Sequence, residues 1–207
     1  MATVLDPHAL PFDRWELPTV PVKRWTVAEY HRLLELGMLR ENDPYELIDG
    51  WLVPKMTKNP SHNAAVRRLD RIFQTRLAGM DWVVDCQNSV TLDDGEPEPD
   101  LMVLIGPESR YDDRHPLAQE VALLIEVSDS TLDRDRGVKL RSYARAKISQ
   151  YWIVNIKACQ IEVFTSPQTL PTAPYASVRT FGADETISVI IGGQSHFDVA
   201  VSDILTS

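Results

Sequence analysis

The sequence predicts a mixed α/β or α+β domain with a sheet at its centre. Three observations predict it. Two short runs, "DLMVLIG" from Asp100 and "VALLIEVS" from Val121, are apolar on both faces, the pattern of strands covered on both sides. Two longer stretches, "TVAEYHRLLELG" from Thr26 and "SHNAAVRRLDRIFQTRLAG" from Ser61, carry apolar residues at helical spacing. Between them, "YELIDGWLVPKM" reads as a β-hairpin that turns at Asp49-Gly50.

Taken in order, residues 1–24 are rich in proline and lack periodicity, which predicts an extended arm ahead of a single domain over 25–207. In the first helix Thr26 and Glu29 form a capping box, Val27, Tyr30, Leu33 and Leu34 make the apolar stripe, and Gly37 stops the helix. Ser61 is the expected cap of the second helix, whose inner face is Val66, Leu69, Ile72, Phe73 and Leu77. "WVVDCQNSVTL" reads as a strand and "DDGEPEP" as a loop before the two central strands. "TLDRDRGVKLRSYARA" reads as a helix despite Gly137. "QYWIVNI" and "CQIEVFT" read as a strand pair, followed by short strands near 175–181 and 186–191.

At 207 residues, with 43% hydrophobic and 25% charged residues, the chain can bury a full core as one domain. Cys86 and Cys159 fit no metal-binding spacing and read as two reduced core thiols. The N-terminus has no signal-peptide pattern, and no stretch reaches the roughly 20 apolar residues of a membrane span. A soluble, cytoplasmic protein is the expectation. The net charge of −9 argues against a broad basic surface that grips phosphates. A local basic groove stays open, because salt confines surface fields to about 8 Å.

Three carboxylates occupy strand-like positions that should face inward or line a cleft: Glu46 in "YELIDG", Asp100 in "EPDLMV" and Glu126 in "LLIEVS". An isolated carboxylate behind "VALLI" would be costly, and a divalent cation supplies the compensating charge. Magnesium is commonly held by one or two carboxylates together with substrate phosphates, and Asp100 and Glu126 suit that role. The competing reading is that each acid pairs with an arginine or caps a turn. On a helix, Asp135, Lys139 and Tyr143 lie four apart and share a face. Lys139 then brings a cation beside Glu126, able to neutralise charge on a reacting phosphate; the alternative is a solvated helix face. Arg134, Arg136, Arg141 and Arg145 could add local basic character.

At these residues the sequence resembles the Uma-type endonuclease family of the PD-(D/E)xK, restriction-endonuclease-like superfamily. The resemblance covers roughly residues 26–165 and is carried by "YELIDGWLV", a histidine early in the next helix, "EPDLMVLI" and "LLIEVSDSTLDRDRGVKLRSYARAKISQYWIV". It implies a four-stranded mixed sheet flanked by helices, with Asp100 and Glu126 as metal ligands and Glu46 assisting. It implies Mg2+ or Mn2+ as cofactor and phosphodiester hydrolysis of a nucleic acid without specifying which; DNA is the favoured substrate. The lysine that the superfamily places two residues after the second acid is Ser128 here, and Lys139 is the natural replacement. His62 matches a family position and is a candidate for contact with substrate or metal-bound water, or a structural histidine; Tyr143 is a further candidate for substrate contact.

The leading expectation is therefore a metal-dependent nuclease with Asp100, Glu126, Lys139 and Glu46 as its catalytic set. A catalytically inert interaction or regulatory module of the same fold is the second, motivated by the net charge and by Ser128. A hydrolase of other phosphoesters is the third. The loop "DSTLDRDRG" fails the calcium-loop pattern, and neither a nucleophile elbow nor a phosphate-binding glycine loop is present. The apolar strands "YWIVNI" and "IEVFT" could form a homodimer face, with core burial as the alternative.

Overall fold

A computed structural model describes residues 22–40, 43–168 and 173–205. All but the last three residues of the expected N-terminal arm lie outside these. Helix α1 (Val27–Glu35) opens on the capping box of Thr26 and Glu29 and gives way at Leu36 to Gly37, whose φ of 66° glycine adopts without a Cβ penalty. Strands β1 (Tyr45–Ile48) and β2 (Trp51–Pro54) form the hairpin, with Asp49 and Gly50 at φ 51° and 76°. That pair of left-handed residues matches the twist of the flanking strands.

Helix α2 (Pro60–Leu77) buries Ala65, Val66, Leu69, Phe73 and Leu77. Its cap is Asn59, not Ser61. Pro60 takes the first helical position, where a missing N–H costs nothing, and so places the cap one residue before it. Asn59 Oδ1 accepts from the His62 backbone N–H at 2.9 Å and from the Ser61 hydroxyl at 2.8 Å.

The sheet runs β3 (Trp82–Asp85), β4 (Leu101–Ile105), β5 (Val121–Ser128), β6 (Gln150–Asn155), β7 (Gln160–Pro167) and β8 (Tyr175–Phe181). Only β5 and β6 are parallel neighbours. The sheet has six strands where the family resemblance implied four, because β7 and β8 continue it antiparallel past β6. The strand expected over 82–92 ends at Asp85; Gln87, at φ 58°, leaves extended geometry. Strands β9 (Thr186–Ile191) and β10 (Gln194–Ala200) make a separate hairpin, and a short helix α5 (Val201–Ile204) follows. Neither β10 nor α5 was expected from the sequence.

The two faces of the sheet are covered differently. On one, Leu101, Val103, Ile125, Trp152 and Val154 pack with α2, the β9–β10 hairpin and α5. On the other, Met102, Leu104, Leu124, Tyr151 and Ile153 pack with Tyr143, Ile148, Val90 and Leu92. β6 is therefore buried on both faces by its own chain, and its apolar residues are core rather than a subunit face.

Parallel strands need a crossover, and the segment between β5 and β6 supplies it. The one helix expected there is three pieces: α3 (Leu132–Arg134), a π turn (Asp135–Lys139) and α4 (Leu140–Arg145). Cys86 and Cys159 are free thiols as expected, but both are partly exposed instead of core. Among the described residues no helix is long and apolar enough to cross a membrane.

Candidate active site

Asp100 stands immediately before β4. The antiparallel register pairs Leu101 with Ile125, so one step outward Asp100 faces Glu126 on β5. Strand alternation puts Asp100 on the side of Met102 and Glu126 on the side of Leu124, which share one core cluster. Both carboxylates are buried and line one pocket, joined there by Glu46 of β1, His62 of α2 and Lys139 of the π turn.

Each acid meets a cation or an N–H. Asp100 Oδ2 accepts the Val127 backbone N–H at 2.9 Å and lies 3.0 Å from His62 Nε2. Burial pushes its pKa up, but the His62 hydrogen bond and charge, the Val127 N–H and Lys139 outweigh that and hold it below the ordinary aspartate value. Glu126 Oε1 accepts from Lys139 Nζ and from the Tyr143 hydroxyl, both at 2.7 Å. Burial dominates there and pushes the carboxyl up to about 8, against the pull of Lys139 and with the push of Asp135 and Asp100. For Lys139, burial works to lower the pKa, but the carboxylates of Glu126, Glu46 and Asp135 reverse the sign and keep the ammonium charged. Glu46 lies 3.3 Å from Arg134 and 3.7 Å from Lys139, and it accepts the Glu98 backbone N–H at 3.2 Å.

His62 sits in the first turn of α2, where Asn59 fixes its backbone. The Asn59 amide in turn donates to Asp129, so the start of α2 is tied to the loop after β5. His62 Nδ1 is buried with no protein partner. Tyr143 is fully buried and its hydroxyl meets Glu126 from the core side, so it supports a carboxylate rather than reaching outward.

Three of the four helix arginines named from the sequence are spent on ion pairs: Arg134 on Glu46, Arg136 on Glu162 and Arg145 on Asp49 and Asp94. The basic character at the pocket mouth comes instead from the β2–α2 loop. Lys58, 40% exposed at its side chain, reaches to 4.0 Å from Asp100, and Lys55 pairs with Glu98 at 2.5 Å. Sequence reasoning missed both lysines, and the only signal for them was their place just ahead of the helix that carries His62. It set Asp135 on one face with Lys139 and Tyr143 but gave it no partner; its buried carboxylate accepts from the hydroxyls of Ser128 and Thr131 at 2.7 and 2.5 Å.

Among the described residues no group of three or more His, Cys, Asp or Glu side chains converges as a metal cage. The donor set fits the sparser kind of site. Two carboxylates face each other across adjacent strands, and both hydrogen bonds to Glu126 fall on Oε1, leaving Oε2 for another ligand. A hard cation bound by one or two carboxylates and completed by water and phosphate oxygens asks for no more.

A family model described as "Putative restriction endonuclease", Uma2, matches residues 27–200. No curated protein matches the chain. Among solved structures, "a putative nuclease belonging to DUF820" from Anabaena variabilis is similar in fold, with a TM-score of 0.63 over 84% of this chain and 97% of that one. At 16% sequence identity that likeness carries the fold alone.

Proposed function

The chain belongs to the Uma2 family of restriction-endonuclease-like proteins, and from that premise we propose that it is a divalent-metal-dependent endonuclease that hydrolyses phosphodiester bonds of DNA. The observation that carries this reading is the convergence of Asp100 and Glu126, facing each other in register, with the Lys139 ammonium in the same pocket. Asp100 and Glu126 would hold Mg2+ or Mn2+, with Glu46 beside them. Such an ion supplies positive charge for the phosphate oxygens and makes a nearby water a stronger nucleophile at neutral pH.

The chain's own residues do the rest. His62 and the Val127 N–H fix Asp100 in orientation and keep it ionised. Tyr143 holds Glu126 from behind. Lys139 keeps a full positive charge in a buried setting, where it offsets charge that builds on phosphorus-bound oxygens. Lys58 at the rim is placed to meet a backbone phosphate that enters the pocket. With a net charge of −9, grip on the substrate is local, which suits a chain that does not coat itself on nucleic acid.

The test is incubation of plasmid DNA with the protein at varied Mg2+ and Mn2+, beside Asp100→Ala and Glu126→Ala. Cleavage that needs metal and vanishes in both folded variants supports the reading. Full activity in either variant sinks it.

A second reading is an inert interaction or regulatory module. Lys139 already contacts Glu126 at 2.7 Å and approaches Glu46 at 3.7 Å, as in a purely structural polar cluster. Calorimetric titration with Mn2+ separates the two: heat of binding that is lost in Asp100→Ala favours the nuclease, and no binding at millimolar metal favours the module.

A further inference from the structure

We propose that Asp135, clamped by the hydroxyls of Ser128 and Thr131, is the positioning residue that seats Lys139 on Glu126. The proposal rests on the nuclease reading only for what Lys139 does; that Asp135 places it is argued from geometry.

Strand β5 presents two successive same-face side chains to the crossover, Glu126 and Ser128, both buried. The π turn answers with two residues four apart, Asp135 and Lys139, both buried as well. They meet in antiparallel order: Ser128 Oγ donates to Asp135 Oδ2 at 2.7 Å, and Lys139 Nζ donates to Glu126 Oε1 at 2.7 Å. Two strand residues span about 6.6 Å and four helical residues about 6 Å, so the two contacts fit one docking. A polar pair at each end fixes the helical segment along the strand, where a single contact would leave it free to pivot.

Asp135 is held by more than its carboxylate. Its backbone N–H donates to the Thr131 carbonyl at 3.0 Å. Its own carbonyl accepts the Leu140 N–H, the i to i+5 bond that marks the π turn, and the Tyr151 hydroxyl at 3.2 Å. The π turn is thus pinned at its first residue, and Lys139 is its last. Single π turns are uncommon and cluster at functional sites, because the extra residue re-aims the side chains that follow. Asp135 Oδ1 is buried with no protein hydrogen-bond partner. Asp135 also lines the same pocket as Asp100 and Glu126.

Ser128 gains a role from this. It occupies the position two residues after Glu126 and holds the residue that carries the lysine in from the helix.

The experiment compares wild type, Asp135→Ala, Asp135→Asn and Ser128→Ala in two assays on the full chain. The first is the 15N-detected ammonium resonance of Lys139, assigned by its loss in Lys139→Arg. The second is DNA cleavage with Mn2+, resolved into kcat and KM. Asp135→Ala is expected to abolish or shift the ammonium resonance and to lower kcat by about 10–100-fold at little changed KM, the range of lost outer-shell partners. Asp135→Asn keeps an oxygen for both hydroxyls and is expected to retain the resonance and most of kcat. Ser128→Ala, which alters no charge, should shift the resonance measurably even if Asp135→Ala folds poorly. An ammonium resonance unchanged in both Asp135→Ala and Ser128→Ala overturns the proposal. That readout needs no turnover, so a wild type that cuts nothing would end the nuclease reading and leave this one to be decided by the resonance.

Discussion

Replacing Lys139 by methionine removes one charge from a site where it touches two acids. Glu46 keeps Arg134 at 3.3 Å and the Glu98 N–H at 3.2 Å, so it is not orphaned. Glu126 keeps only the Tyr143 hydroxyl at 2.7 Å, and its compensating cation is gone. Breaking a buried pair from one side costs about 3–5 kcal/mol when the remaining charge must stay ionised. Glu126, already pushed up to about 8 by burial with Lys139 beside it, rises further once that cation is gone and escapes the penalty by taking a proton. At pH 9 the wild-type carboxyl ionises against Lys139 while the variant's must stay protonated, so the loss there should exceed the loss at pH 6 by about 1.4 kcal/mol. At pH 6 it should shrink to the about 1–3 kcal/mol of a missing buried hydrogen-bond partner. Urea unfolding followed by far-UV circular dichroism at both pH values measures it. The double variant Lys139→Met with Glu126→Gln should recover most of the pH 9 loss. A Lys139→Met penalty equal at pH 6 and pH 9, or one that Glu126→Gln leaves untouched, would refute the reasoning.

Two further outcomes follow from the same structure. In the metal-free wild type, Glu126 keeps a proton in the folded state from the unfolded value of 4.5 up to about 8. The folded state then binds more protons than the unfolded one, so this group makes stability fall as pH rises through that window, by at most about 1.4 kcal/mol per pH unit. Glu126→Gln should flatten the slope, and identical slopes in the two proteins would remove the buried-carboxyl argument. Phe73, fully buried and in edge contact with Trp152 and Phe197 at 6.2 and 5.3 Å, holds α2 against the sheet. Phe73→Ala should cost about 3–5 kcal/mol in urea unfolding, and a cost under about 1 kcal/mol would mean α2 is not seated as described.

Much of the fold was legible because it is written in local patterns. The capping box at Thr26, the left-handed pair Asp49-Gly50 and the all-apolar runs on β4 and β5 each declare one backbone geometry and no other. The pairing of Asp100 with Glu126 was within reach for the same reason: an acid next to a buried run must find compensation, and two such runs side by side bring their acids together. What escaped the sequence depends on distant partners. Asn59 displaced Ser61 as cap because Pro60 fixed the helix start and Asp129 was there to take the amide. The helix arginines look like a basic face in one dimension, but Glu46, Glu162, Asp49 and Asp94 arrive from other elements to neutralise them. The π turn is invisible to a period count over so short a segment, and with it Asp135 as the partner of Ser128. Strand β8, with most of its side chains exposed, carries little burial signal to extend the sheet beyond β7.

The account stands on Asp100 and Glu126 sharing one divalent ion. Diffraction from crystals soaked in Mn2+, collected at a wavelength where manganese scatters anomalously, tests this directly. The account predicts an anomalous peak at coordination distance from a carboxylate oxygen of each residue, and no such peak in Asp100→Ala. Manganese bound elsewhere, with these two side chains still turned to His62 and Lys139 and no peak between them, would contradict it.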